Sequence, residues 1–349
     1  MIGRLALVVA VVLAFPANAH AHDLGVDLTF NGTAASATNP RSGSAGFGLS
    51  GSYDFTDQWS AFLTANYLRD LATRTTDSFS PGSNIFLFSA GAMFVVNDHV
   101  MLMGAINGSP PSTQRNAQQL PLTVGNRTIV LDGVLEGTNA SLGGMLLGSY
   151  ATNGLSNWEH TVDLSVNVTG LSSFQNLQLG RLAEAIARNN CPPGDDQRAC
   201  RLVVGTNTPL VQVRLGAAYT ATLFWKLDLL LDGAAFLYDQ DPSRVGVFTQ
   251  VQQGRTTDLG LGSPTAPWVA TARLTALYRF AKVNLRLGYQ FGLYTADFGA
   301  NHLVRASVTW KVSSSFRLTL SALVQTDVDS SGPINRGGTV STGVLFLLP

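Results

Sequence analysis

Hydrophobic and polar residues alternate one by one along most of this chain. In WEHTVDLSVNV, residues 158–168, the even positions are Trp158, His160, Val162, Leu164, Val166 and Val168. The odd positions are Glu159, Thr161, Asp163, Ser165 and Asn167. Successive side chains of a strand point to opposite faces, so the pattern predicts a strand with one apolar and one polar face. Residues 211–221 and 302–312 repeat it. In TARLTALYRF, Ala272, Leu274, Ala276, Tyr278 and Phe280 share a face, and Thr271, Arg273, Thr275 and Arg279 share the other, with Leu277 an exception. Beyond a turn at Ala281-Lys282, Val283, Leu285, Leu287, Tyr289 and Phe291 oppose Asn284, Arg286, Gly288 and Gln290.

Fourteen such segments are predicted: 23–31, 44–55, 58–68, 84–96, 99–106, 139–150, 158–169, 210–221, 225–238, 268–280, 283–294, 302–312, 315–326 and 338–348. Most run ~10–12 residues, against ~5–6 in globular sheets, and ~9–11 suits a tilted membrane strand. Short turns, such as Thr56-Asp57, Asn97-Asp98 and Ser313-Ser314, alternate with long connections, notably 107–138, 170–209 and 239–267. Of these, Thr128–Leu135 and the Val245–Val251 run are expected to extend hairpins above the membrane. Aromatic residues gather toward strand ends, among them Tyr53, Phe55, Trp59, Tyr67, Trp158, Trp225, Trp268, Tyr278, Phe280, Trp310 and Phe346. Length, even count, loop alternation and aromatic girdles together predict one closed, antiparallel, up-and-down transmembrane β-barrel of about 14 strands.

Composition agrees. The 349 residues are 45% hydrophobic and 13% charged, with net charge +0. That balance offers a nucleic-acid partner nothing. No run reaches ~18 apolar residues, so no transmembrane helix is expected. The start, MIGRLALVVAVVLAFPANAHAHD, carries Arg4, an apolar run from Leu5 to Phe15, and small residues at Ala17-Asn18-Ala19 or Ala19-His20-Ala21. It reads as a signal peptide, residues 1–21, cleaved after Ala19 or Ala21, followed by the barrel over 22–349. Over nearly all of the mature chain the pattern resembles Gram-negative outer-membrane β-barrels of the porin or channel kind, through no specific motif. The resemblance implies an outer-membrane location, with lipid as a partner. Long-chain fatty-acid channels also have fourteen strands but carry an N-terminal plug. Here Leu24, Val26, Leu28 and Phe30 already alternate, so a plug segment is missing. Such barrels commonly end in an aromatic residue, whereas here Phe346 is followed by Leu-Leu-Pro.

If the apolar faces meet lipid, the polar faces line the lumen. That places Arg214, Arg273, Arg279, Arg286, Arg305, Lys311 and Arg317 inside, with Asp27, Glu159, Asp163, Asp228 and Asp232 among them. Counted from the short turns, Arg214, Asp232, Arg273 and Arg305 form an upper layer, and Asp228, Arg286 and Arg317 a lower one. Two readings stand: a paired network stiffening the barrel, or a charged constriction for polar or anionic solutes. The first half of the lumen is softer, with small polar residues and an apolar wall of Met93, Met101, Met103 and Met145. That wall either packs an inward loop or guides an amphipathic solute.

Cys191 and Cys200 are the 2 cysteines. In an exported chain, two cysteines so close in a loop predict a disulfide rather than a metal site. Leu171, Phe174, Leu177, Leu182, Ala185 and Ile186 predict a short helix in the extracellular loop 170–209, with Ser172 or Ser173 as its N-cap. No metal or cofactor site is expected. No hydrolase or phosphate-binding motif is present, and His302 near Asp297 is a chance proximity. The chain therefore reads as a non-enzymatic channel for passive diffusion or uptake of small polar or amphipathic solutes. The alternative is a non-conducting barrel whose loops bind a surface partner.

Overall fold

A computed structural model describes residues 22–33, 42–70, 84–154, 160–192, 198–223, 226–242, 268–295, 299–329 and 332–348. Residues 1–21, expected as a signal peptide, and Glu159, Trp225, the Val245–Val251 run and Asp297 lie outside them. Fourteen strands form one closed antiparallel barrel in chain order, with the first strand hydrogen-bonded to the last. They are β1 His22–Thr33, β2 Ser42–Asp54, β3 Trp59–Asp70, β4 Asn84–Val95, β5 Val100–Val124, β6 Arg127–Ala151 and β7 His160–Leu179. Then follow β8 Thr206–Leu223, β9 Leu227–Tyr238, β10 Trp268–Arg279, β11 Val283–Tyr294, β12 Ala300–Lys311, β13 Phe316–Asp329 and β14 Gly332–Leu348.

Closure runs from Leu24 opposite Leu348 to Thr33 opposite Thr339. Phe346 lies opposite Val26 and Phe316, and its ring packs at a tilt on Phe316 with centroids 5.0 Å apart. The last strand thus includes this aromatic residue in both its ladders, with Leu347 and Leu348 continuing the pairing to β1.

Because directly opposed residues share a face, the register carries each strand's polarity around the barrel. The outward face holds Leu102, Ile106, Leu146, Leu164, Val166, Leu215, Leu231, Leu274, Leu287, Val304, Leu320 and Val324, all exposed. So continuous an apolar band has no place on a water-soluble surface. Aromatic pairs ring the short-turn end: Tyr53 with Phe55, Trp59 with Phe94, and Tyr278 with Phe280, at 4.4–4.6 Å. His160 joins them through Tyr219, its Nδ1 2.9 Å from the hydroxyl. Higher on the same outer surface, His302 meets the Tyr289 hydroxyl at 2.8 Å.

Several strands outgrow their predicted bounds, β5, β6 and β7 by the most. β5 and β6 have 25 residues each and β7 has 20. β5 and β6 continue as a hairpin around Gly125, whose φ of 57° is open to glycine without strain. Pro110-Pro111 is accommodated where the register shifts between Ser109 and Ser112. Ser173–Leu179, expected as helix, instead pairs with Gly133–Asn139 of the raised hairpin. The helices come later, as α1 Arg181–Asn190 and α2 Arg198–Val204. α1 starts at Gly180 with no side-chain cap, so neither Ser172 nor Ser173 caps it. The two helices are joined by the Cys191–Cys200 disulfide. They pack Ala187, Ala199 and Leu202 on Leu122, Leu131 and Leu177. Leu131 and Leu177 stand on the face that continues the lumenal wall, so the helices sit on the inner side of the raised sheet, at the barrel mouth.

Two outcomes are expected. Leu274→Arg should impair assembly into lipid vesicles, lowering barrel stability by roughly 2–4 kcal/mol, while Leu274→Val assembles normally; urea titration of the vesicle-inserted protein checks this. Cys191→Ser should expose the 181–204 segment to protease without lowering the barrel's melting temperature, since so short a disulfide loop contributes only about 2–3 kcal/mol, spent on the helix pair.

Candidate functional site

The inner wall is built from the polar positions of the alternation, and the register decides which of them meet. Arg273 stands opposite Asp232 and donates from Nε to Oδ2 at 2.7 Å. One layer toward the short turns, Arg279 forms an ion pair with Asp228, which also accepts from the Thr222 hydroxyl at 2.8 Å. Arg214 lies opposite Asn167 and Phe236, and reaches Ser165 Oγ at 3.4 Å. Gly216 leaves the room for it, since a Cβ there would come within 3.0 Å of the guanidinium. Asp163 lies opposite Ser149 and Ala218, and its buried Oδ1 has no hydrogen-bond partner among the described residues.

The expected upper and lower layers are redistributed. Arg214 is level with Phe236 and Arg273 with Asp232, whereas Arg305 is level with Gly288 and Leu323, one inward position lower. Arg286 is level with Leu277 and Asp228. Arg317 is lower again, directly opposite Lys311. Counting from the turns treats all strands as equal, but each ladder has its own offset, and the offsets accumulate around a barrel. Asp27 is placed by register opposite Leu345, which is itself opposite Arg317.

Pairing divides these cations. Arg273 and Arg279 are held by carboxylates. Among the described residues, Arg286, Arg305, Lys311 and Arg317 have no carboxylate partner. All four stand on β11, β12 and β13, and Lys311 opposite Arg317 is a like-charge pair of the kind that destabilises a sheet. Across the barrel, β4–β6 carry Met93, Met101, Met103 and Met145 on the inward face, accompanied by Ala105 and Leu147.

An apolar arc at the long-loop end was not legible beforehand. Trp268, expected in the outward girdle, is 9% exposed and stacks on Tyr294 with ring centroids 4.3 Å apart. A register shift between Trp268 and Ala270 turns the indole inward. It lies over Gly292, where a Cβ would meet indole carbons at 2.1–2.9 Å. Phe236 packs against this pair, and Tyr238 packs on Leu171 and Leu210. The Tyr238 hydroxyl accepts from Gln212 at 3.0 Å and donates to the Trp268 carbonyl at 2.8 Å. The one signal available was the shift in alternation at Val269, because Gly292 stands opposite Thr271 and the indole reaches it only through the register shift.

No protein-family model and no curated protein matches the sequence. Solved structures do match the fold. A Pseudomonas aeruginosa FadL homologue aligns with TM-score 0.56 at 11% identity, over 93% of this chain and 90% of that one. The CymD monoaromatic hydrocarbon channel aligns with TM-score 0.54 at 11% identity, over 94% and 88%. The Ralstonia pickettii toluene transporter TbuX aligns with TM-score 0.52 at 10% identity, over 97% and 92%. At such identities the likeness is one of fold, a closed 14-stranded β-barrel.

Gly292→Ala should dislodge the indole and lower barrel stability by about 1–3 kcal/mol, as overpacking does. The Trp268 contribution to fluorescence, taken as the difference from a Trp268→Phe barrel, should shift to the red.

Proposed function

We propose that this barrel is an outer-membrane channel through which small polar or amphipathic solutes diffuse, with a preference for anions. The short turns then face the periplasm, and the raised β5–β7 sheet with its helix pair stands outside the cell. The observation that carries the reading is the wall of Arg286, Arg305, Lys311 and Arg317, which have no carboxylate partner among the described residues. A purely structural network would pair its charges, as Arg273 and Arg279 do, because opposed like charges weaken a sheet. Cations left free on a lumenal wall set a positive potential that raises the local anion concentration. Fourteen strands enclose a bore between the side-chain-filled eight and the open sixteen to eighteen, which suits small solutes.

The apolar surfaces support the amphipathic part. The Trp268–Phe236 arc lies at the mouth, and the methionine wall faces the cations lower down. The solved structures of like fold include a monoaromatic hydrocarbon channel and a toluene transporter, and apolar passage of that kind would use the same surfaces. The competing reading, a closed barrel that displays its helix pair to a surface partner, differs in one measurable respect: it does not conduct.

In planar bilayers the wild-type protein should conduct and show an anion-favouring reversal potential in a salt gradient. Arg286→Ala with Arg305→Ala should move that potential toward cations, with the difference shrinking at high salt as screening shortens. Asp232→Asn should move it further toward anions by freeing Arg273. A protein that inserts but passes no current, or an unchanged reversal potential in the double variant, refutes the reading.

A further inference from the structure

Passage of anions does not account for the methionines. The chain has 5, and all except Met1 lie in one inward patch. Met93 on β4 is directly opposite Met103 on β5. Met101 is the next inward residue below Met103 on the same strand. Met145 on β6 is opposite Ala105, which makes it the diagonal neighbour of Met103. Directly opposed Cβ atoms lie ~4.5–5.5 Å apart and diagonal ones about 7–8 Å. Long, unbranched methionine side chains span such gaps, so the four sulfurs are within reach of one point near Met103. All four residues are half-buried, with side chains neither locked in a core nor fully in water.

Leucine fills space as well as methionine does, and this wall uses it at Leu87 and Leu147. What four thioethers add is a set of soft, neutral donors, which select soft metal ions such as Cu(I) over hard ones. The surroundings favour a cation. No lysine or arginine occurs in 84–109 or 139–151. Carboxylates stand two strands away on either side. Asp54 lies opposite Ser60, which is opposite Met93. Met101 lies opposite Ser149, which is opposite Asp163. Asp163 is also the carboxylate whose buried Oδ1 has no partner among the described residues, and a buried acceptor without a donor is costly unless something positive satisfies it.

From this juxtaposition we infer that Met93, Met101, Met103 and Met145 form a binding site for a soft monovalent cation of the Cu(I) and Ag(I) class, with Asp54 and Asp163 supplying compensating charge. The expectation of no metal site weighed cysteine and histidine donors. Thioethers from three strands become a donor set only through the cross-strand register. The site is independent of conduction, because it is tested by binding.

Silver nitrate is the probe, titrated by calorimetry into the purified full chain with its disulfide intact, in chloride-free buffer and detergent. In parallel, carbon-13 methyl spectra follow the methionines directly. One saturable site is expected, with the four lumenal methyl signals moving together and complete at one equivalent. Met93→Leu with Met103→Leu conserves volume and should weaken silver binding at least tenfold. Asp163→Asn should weaken it up to about tenfold at unchanged stoichiometry, as loss of a supporting group does. Methyl signals that stay in place at one equivalent, or a double variant that keeps wild-type affinity, would overturn the site. Should the double variant fail to assemble, Met145→Leu and the wild-type methyl spectra decide the question by themselves.

Discussion

The hydrogen-bonded seam between β1 and β14 is the constraint on which the rest of the structure depends. Hydrocarbon offers a backbone N–H or C=O no partner, so a sheet can cross a bilayer only if it has no edge. Ten opposed pairs, from Leu24 with Leu348 to Thr33 with Thr339, remove that edge. Once the ladder is closed, every strand's parity is tied to its neighbours. A residue is then either outside in lipid or inside in the lumen, and a single bulge is enough to exchange the two.

Parity explains how a chain with net charge +0 concentrates its charge without an energetic penalty from lipid. Nearly every charged residue of the membrane-crossing strands falls on the inner face, where water screens it. There the charges are not spread evenly. β9 contributes Asp228 and Asp232, and both are taken by arginines of β10. β11, β12 and β13 contribute Arg286, Arg305, Lys311 and Arg317 without described carboxylate partners. β4, β5 and β6 face them with thioethers and small residues. The inner face is therefore two-sided, cationic on one wall and soft on the other.

Above the membrane a different economy holds. The raised parts of β5, β6 and β7 have water on their outer side, and lipid no longer covers an apolar face. Their apolar residues Leu122, Leu131 and Leu177 point inward and are covered by α1 and α2. The helix pair is short and uncapped at its start, so local propensity contributes little to it. Burial of Ala187, Ala199 and Leu202, together with the Cys191–Cys200 bond, supplies what propensity does not.

The class of fold, the strand number, the outward apolar faces and the disulfide were all legible in the sequence, because each depends on a period of two or on neighbours close along the chain. The raised hairpin was legible only at Thr128–Leu135. Residues 112–120, STQRNAQQL, have no alternation of apolar and polar residues to betray a strand, because above the membrane no lipid selects an apolar outer face. Ser173–Leu179 has spacings that fit either helix or strand, and the waiting ladder of Gly133–Asn139 selected strand. Trp268 kept the parity of a lipid-facing residue, and one register shift turned it onto Gly292. Arg273 and Arg305 counted to the same height, yet only Arg273 meets a carboxylate. The sequence by itself determined which residues could be inside, because alternation is a property of the single strand. Which of them stand side by side, Arg273 with Asp232 or Met93 with Met103, was decided by the tertiary structure, because the offset between neighbouring strands belongs to the closed ladder and to no strand alone.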